Sequence, residues 1–333
     1  MMLNNDIKFG VLGSAKIART HWIPALNTVD GGSYWGVASR SMEKAQAFSA
    51  QFGGKVYSSY EALLADPDID AVYIPLPNDL HIPFCLQALA AGKHVLCEKP
   101  IALSREQCQT LVTASLQYPA LKVMEAFMYR FHPQWQQVME WISRGEIGQI
   151  KQVSTRFCYN NLDPLNIRNS VAAGGGALMD IGCYGISVAR MVLGREPKRV
   201  VAQADIHPEF GVDDANQLML DFNGAMASVF VSTKAQRSQK VTIEGNLGRI
   251  VLSHPFYCDE DDVRILRLIK DEEVVELEFV SAINHYQLMT EAFIASIQQQ
   301  TPVPVSLLDS MANMAVIDAA VSSAQENAWV DVI

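Results

Sequence analysis

Ile7-Lys8-Phe9-Gly10-Val11-Leu12 runs without a break into Gly13-Ser14-Ala15-Lys16-Ile17-Ala18, and a helical pattern follows as far as Leu26. A short apolar strand, a turn of small residues and a helix together open a βαβ unit. The same grammar continues outward. Tyr34–Ala38 reads as the second strand and Met42–Phe52 as its helix, while Ala71–Ile74 and His94–Cys97 read as further buried strands. Between these two, Leu80–Ala91 is helical and is closed by Gly92, a residue suited to a left-handed cap. Leu121–Glu125 reads as the last strand of the series. Strands alternating with helices specify a doubly wound parallel sheet, the Rossmann arrangement.

Beyond about Ile150 strands follow one another through short turns, and half of them alternate apolar with polar residues. Ile150–Tyr159, Arg199–Ala204, Gln217–Phe222, Met226–Ser232, Lys240–Glu244, Val263–Ile269 and Val274–Phe279 predict a large, open, mostly antiparallel sheet. Asn223-Gly224 and Asn246 to Gly248 supply turns. Helices are expected over Gly176–Leu193, His285–Gln299 and Ser306–Glu326. The whole is thus α/β followed by α+β. A chain of 333 residues exceeds what one hydrophobic core usually serves. Two domains are expected, 1–124 and 125–333, the first with the Rossmann pattern of a dinucleotide site.

With 49% hydrophobic and 19% charged residues, the composition is that of a folded protein. A formal net charge of -10 lacks the basic surface that nucleic acid or an acidic membrane requires, so neither is expected as a partner. No apolar run is long enough to span a bilayer, and Met1 to Lys8 shows no basic stretch followed by an apolar one. A cytoplasmic location is expected. Cys85, Cys97, Cys108, Cys158, Cys183 and Cys258 make no CxxC pair and no zinc-ligand spacing with the seven histidines, so reduced thiols and no metal site are expected.

In the first βα turn, Gly13, Ala15 and Ala18 occupy the three positions of a GxGxxG pattern, two of them as alanine. Small residues there let the backbone approach a pyrophosphate at a helix N-terminus, although they also serve any tight strand-to-helix turn. At the end of strand two, Ala38-Ser39-Arg40 lacks the acid that would accept from a ribose 2′-hydroxyl. A hydroxyl and a guanidinium suit a 2′-phosphate instead, with Lys44 one helical turn on. The alternative is an arginine capping a solvated turn. Glu98-Lys99-Pro100 sets a lysine at the carboxyl edge of the sheet, where open α/β sheets bind ligands. Alone, it equally reads as a surface lysine before a strand-ending proline.

Five strings occur together and in order: the glycine turn, Pro77-Asn78-Asp79-Leu80-His81, Gly92 to Pro100, Glu125-Ala126-Phe127-Met128-Tyr129-Arg130, and Gly174 to Tyr184. In this the chain resembles, from end to end, the Gfo/Idh/MocA family, which includes glucose-fructose oxidoreductase and inositol dehydrogenase. The resemblance implies that Lys99 is the catalytic lysine and that Asp180 and Tyr184 face substrate. It places Leu76, Pro77, Asn78, His81, Glu98 and Lys99 beside the cofactor, together with Gly13, Ser14, Ala15, Lys16, Ile17, Ser39, Arg40 and Lys44. Many relatives carry histidine where this chain has Tyr184. The tyrosine version is similar to the branch of pyranose and dihydrodiol dehydrogenases, which generally uses NADP. The family often pairs subunits through the open sheet, so a homodimer or homotetramer is expected.

Asp180 and Tyr184 stand four apart on one helix and share a face. The preceding Gly174-Gly175-Gly176 permits close approach of backbone to ligand. Arg130 and Arg168 each follow a probable strand and serve either as substrate contacts or as surface ion pairs. The resemblance makes His81 a cofactor contact, where the residue alone equally reads as satisfying a helix start, and it places His285, beside Tyr286, near the substrate, with nothing local to identify its role. The expected activity is NADP-dependent hydride transfer to or from a secondary hydroxyl or carbonyl of a sugar, cyclic polyol or trans-dihydrodiol. Tyr184 would move the proton, with Lys99 lowering its pKa. Two rivals remain: a glycoside hydrolase that uses nicotinamide without net turnover, and a non-catalytic dinucleotide sensor. Accumulation of NADPH, set against cleavage of a chromogenic glycoside, separates the first. A sensor has no use for a proton relay.

Overall fold

The structure is a computed structural model that describes residues 6–257, 263–279 and 283–333; Cys258 lies outside them. Two compact units emerge. One comprises the chain up to Met128 and again Asn284–Met311, the other Tyr129–Ile283 and Ala312–Ile333.

In the first unit β1 (Ile7–Leu12), β2 (Gly32–Ala38), β3 (Lys55–Tyr57), β4 (Ala71–Ile74), β5 (His94–Cys97) and β6 (Val123–Glu125) form one sheet in the order β3-β2-β1-β4-β5-β6. Every pairing in it is parallel. The order reverses between β1 and β4, so the carboxyl ends of the strands open there onto the loops that begin with Gly13, Ser39, Pro75 and Glu98. All four residues of β4 are buried, which is why it reads as a continuous apolar run and not as an alternation. Lys55-Val56-Tyr57 carries no such run. At the sheet edge it pairs only with β2, and three residues suffice.

The helix expected after β1 contains one wide, π-type turn over Ala18–Trp22 before it continues as Ile23–Leu26. Trp22 is fully buried and stacks on Tyr73 with ring centroids 4.1 Å apart. The late helix His285–Gln298 packs in this unit as well, with Phe293 against Phe9 at 6.3 Å. Gly31 and Gly32 make room for it, because a Cβ on Gly32 would lie 2.5 Å from Ile294 Cδ1.

The second unit is built on a nine-stranded sheet. Its strands are β7 (Ile150–Asn160), β8 (Arg199–Ile206), β9 (Asp213–Asp221), β10 (Met226–Ser232), β11 (Lys234–Gly245), β12 (Arg249–Leu252), β13 (Arg264–Lys270), β14 (Glu273–Phe279) and β15 (Val330–Asp331), in the order β14-β13-β12-β11-β7-β10-β9-β8-β15. The strand expected over Lys240–Glu244 extends through all of Lys234–Gly245. Pairings are antiparallel except between β7 and β10, which are parallel. Topology explains the exception. The helix Cys183–Leu193 carries the chain back across the sheet between β7 and β8, and two reversals then bring β10 beside β7 in the same direction. That helix lies close to the sheet at Gly185, where a Cβ would stand 2.5 Å from Val229 Cγ1.

Among the described residues no helix is long and apolar enough to cross a membrane. Cys85, Cys97, Cys108, Cys158 and Cys183 are buried free thiols. Gly36, between β1 and β3, has no space for a side chain, since a Cβ would meet the Lys55 carbonyl oxygen at 2.4 Å. Backbone cannot give way as a flexible side chain does. Gly36→Ala is therefore expected to destabilise the chain by about 1–3 kcal/mol, read as a lower urea midpoint; an unchanged midpoint would contradict the packing of β2 on β3.

Candidate active site

The candidate site residues fall into two clusters, one in each unit. In the first, Gly13 has φ +108°, and a Cβ there would meet Leu76 Cδ2 at 3.0 Å. Only glycine suits that turn. Its N–H donates to the Ala38 carbonyl at 2.8 Å, and the hydroxyls of Ser14 and Ser39 meet at 3.0 Å. The glycine turn and the end of β2 are thus tied together at the residues the sequence singles out. Ala15 and Ile17 are half-buried, and Lys16, Arg40 and Lys44 are exposed. Arg40 is beside Tyr60, whose phenol is pushed up by burial and drawn back down by the charge and hydrogen bond of Arg40. The Lys44 backbone N–H donates to Ser41 Oγ, which caps the helix Met42–Phe52.

These residues fit a dinucleotide carrying a 2′-phosphate. The turn is shaped for close backbone approach, no carboxylate stands at the end of β2, and a guanidinium is presented there to solvent.

The segment around Lys99 is anchored on every side. Glu98 donates its N–H to the Ile74 carbonyl at 3.1 Å, and its Oε1 accepts from the Tyr73 hydroxyl at 2.6 Å. The Lys99–Pro100 peptide is cis. Ile101 N–H donates to Glu125 Oε1 at 2.9 Å. The fully buried His81 ring sets Nδ1 2.8 Å from the Pro100 carbonyl oxygen and Nε2 2.8 Å from that of Leu76. Burial lowers the pKa of this imidazole, against the two carbonyls, which favour the protonated ring that can donate to both; the neutral ring donates to one of them at a time. His81 therefore ties the loop after β4 to the loop after β5. Pro77 and Asn78, both half-buried, start the helix Asn78–Ala90 beside it. Lys93 also serves the scaffold, since its ammonium donates to the carbonyls of Asp66 and Ile69 at 2.7 and 2.6 Å.

In the second unit Asp180 lies in a wide, π-type turn, Leu178–Gly182, that precedes the helix Cys183–Leu193. Its carboxylate is 8% exposed and each oxygen has a named partner. Oδ1 is 2.9 Å from Arg168 Nε, and Oδ2 accepts from the Tyr159 hydroxyl at 2.5 Å. Tyr184, on the next turn, is buried among Tyr129, Phe157 and Phe256 with ring centroids 5.2–5.6 Å away. The Arg168 guanidinium, held charged chiefly by Asp180, also feels the Tyr184 hydroxyl. Arg168, Asp180 and Tyr184 therefore come together.

The glycine run before this helix is used differently from the expectation of a ligand approach. A Cβ on Gly175 would strike the Arg168 carbonyl oxygen at 2.4 Å, and one on Gly176, with φ +112°, would lie 2.0 Å from Asp213 Oδ1. The close approach is to the protein's own backbone and to a half-buried carboxylate. Asp213 Oδ2 accepts from Leu178 N–H at 2.7 Å and from Asn216 Nδ2 at 2.5 Å, which caps the helix start.

Arg130 is half-buried on the turn Met128–Phe131. His285 belongs to the first unit, buried at the start of its late helix beside Tyr286, which stacks on His21 at 5.3 Å. Sequence reasoning missed Tyr73, Glu125, Tyr159 and Asp213 as anchors. For Tyr159 a signal existed: Val153, Thr155, Phe157 and Tyr159 form a period-two row on β7. Thr155 meets Gly185, Phe157 meets Tyr184, and Tyr159 meets Asp180.

Residues 7–124 match the family described as an oxidoreductase family with an NAD-binding Rossmann fold, and residues 135–251 match the GFO/IDH/MocA C-terminal domain. The chain is 35% identical over 326 residues to a D-xylose 1-dehydrogenase (NADP(+)) of Haloferax volcanii, covering 97% of this chain and 99% of that protein. It is 34% identical to a trans-1,2-dihydrobenzene-1,2-diol dehydrogenase of Xenopus tropicalis over 68% of each chain. A crystal structure of a 3-ketoreductase from Actinomadura kijaniata, in complex with NADP and TDP-benzene, superimposes with a TM-score of 0.90 at 29% identity, covering 96% of this chain and 98% of that one.

Burial pushes the Asp213 carboxyl up to about 6, against the lowering by its hydrogen bonds. The folded chain then takes up a proton here at a pH where the unfolded chain does not. Through this group, stability rises as pH falls through about 6 and levels off near the unfolded value of about 4. Comparing urea midpoints of the wild type and Asp213→Asn between pH 7 and pH 5 is expected to show this gain in the wild type alone. Parallel pH profiles would contradict it.

Proposed function

Because this chain belongs to the Gfo/Idh/MocA oxidoreductase family, we propose that it is an NADP-dependent dehydrogenase or reductase acting on a secondary hydroxyl or carbonyl of a sugar, cyclic polyol or trans-dihydrodiol. The reading is carried by an ion-paired carboxylate and a buried phenol one turn apart on a single helix, Asp180 and Tyr184.

Bound NADP supplies the hydride acceptor or donor. The chain's own residues bind, orient and move the proton. Gly13 and its neighbours receive the pyrophosphate, and Ser39 and Arg40 receive the 2′-phosphate. Tyr184 exchanges a proton with the substrate oxygen. Lys99 contributes a positive charge that favours the phenolate and the developing alkoxide. Asp180 accepts from a neighbouring substrate hydroxyl, a task for which an ionised carboxylate is well suited.

The direct test is to measure NADPH and NADH binding separately by fluorescence, then to follow NADPH formation with a panel of sugars, inositols and diols. Tyr184→Phe is expected to lower turnover by about 100-fold or more, with NADPH affinity held, and Lys99→Ala to be at least as damaging. Near-normal rates in either would remove that residue from the relay. Arg40→Ala should weaken NADPH by about 10-fold more than NADH; equal losses would refute the phosphate assignment.

We also infer a homodimer or homotetramer assembled through the open sheet. Met219, Met226 and Phe230 on β9 and β10 are 42%, 40% and 36% exposed on a sheet face they share with Gln217, Asp221 and Arg156, and exposed apolar side chains set among polar ones suit a second copy. Sedimentation equilibrium is expected to give two or four subunits, and Phe230→Asp is expected to shift the mass toward one. A monomeric wild type would end this inference.

A further inference from the structure

We propose that Tyr159 is a positioning residue of the active site: its hydroxyl, acting with the Arg168 guanidinium, fixes the direction in which the Asp180 carboxylate faces a substrate hydroxyl. The proposal rests on the reading of Asp180 as the acceptor for that hydroxyl. A carboxylate turns about two side-chain torsions, and a single contact can be kept through a range of rotations. Here the contacts fall on different oxygens and come from different directions. Arg168 Nε reaches Oδ1 at 2.9 Å from the turn Ile167–Asn169, and the Tyr159 hydroxyl reaches Oδ2 at 2.5 Å from β7.

Both donors are themselves held. The Arg168 carbonyl accepts from Gly176 N–H at 2.9 Å, its N–H donates to Asn166 Oδ1 at 3.1 Å, and Gly175 lies against its backbone. Tyr159 is fixed by strand register, two residues beyond Phe157, which packs on Tyr184. Burial, and then the Asp180 charge, pushes the Tyr159 phenol far above its ordinary range while Arg168 opposes, so the hydroxyl remains a donor. A guanidinium and a phenol together favour the ionised carboxylate. Asp180 therefore accepts hydrogen bonds, and the proton is left to Tyr184.

The test uses the full chain with 13C-labelled aspartate, the Asp180 carboxyl signal being identified by its loss in Asp180→Asn. Removing the hydroxyl in Tyr159→Phe is expected to raise the titration midpoint of that signal by about one pH unit. With the polyol or diol turned over best by the wild type, kcat/KM is expected to fall about 10- to 100-fold, while the Kd for NADPH stays within about twofold. An Asp180 signal that titrates alike with and without the hydroxyl overturns the proposal, whatever the turnover. So does a shifted signal with unchanged kcat/KM. A wild type silent toward the whole panel, with the signal shifting as expected, upholds the anchoring of Asp180 and rejects the dehydrogenase reading alone. Should Tyr159→Phe fail to fold, 3,5-difluorotyrosine at position 159 keeps the ring and hydroxyl but donates more strongly. It is expected to lower the Asp180 midpoint, and an unmoved midpoint overturns the proposal equally.

Discussion

The exit of β5 is the constraint on which the first unit depends. Glu98, Lys99, Pro100 and Ile101 leave the sheet as a bent, irregular segment, and an unsupported loop at that edge would wander. Buried side chains prevent this. Tyr73 holds Glu98, His81 holds Pro100, and Glu125 holds Ile101, each through one hydrogen bond of 2.6–2.9 Å. Because these anchors come from β4, the following helix and β6, the position of Lys99 is a property of the sheet and not of the loop. The stacked pair Trp22 and Tyr73 extends that rigidity to the helix after β1, which also carries the glycine turn.

The second unit applies the same logic with different parts. Asp213 caps the start of the helix that bears Asp180 and Tyr184, and Gly176 exists to admit its carboxylate. Glycine-rich segments at ligand sites are usually credited with approach to the ligand. Here the space is filled by the protein itself. The helix that bears Asp180 and Tyr184 is in this way set against β9 at its start and against β7 along its length.

Much of this architecture was legible in the chain, and for a physical reason. Strands buried on both faces write themselves as apolar runs, and β1, β4 and β5 are such strands. The glycine turn, Ser39 and the pairing of Asp180 with Tyr184 were readable because their chemistry is local. What escaped was non-local or weakly patterned. Lys55–Tyr57 is too short and too polar to stand out. The parallel pairing of β7 with β10 follows from connections some seventy residues apart. Several charged and aromatic members of the recurrent strings, such as Lys93, His81 and Glu125, bond backbone, so their recurrence reports scaffold as much as chemistry. Tyr159 sat in plain sight on a period-two row, but the value of that row depends on which helix crosses it.

The return of Asn284–Met311 to the first unit has a bearing on how the chain comes to be folded. Phe9 and the Gly31-Gly32 step are covered by Phe293 and Ile294, which leave the ribosome only after strands β7 to β14 have been made. Until then the nascent nucleotide-binding layer keeps an uncovered apolar flank, and every strand of the second sheet save the last emerges while that flank is open. Vectorial synthesis thus cannot finish the first unit before strands β7 to β14 of the second have been made. Maturation of the two is coupled in time by a single helix.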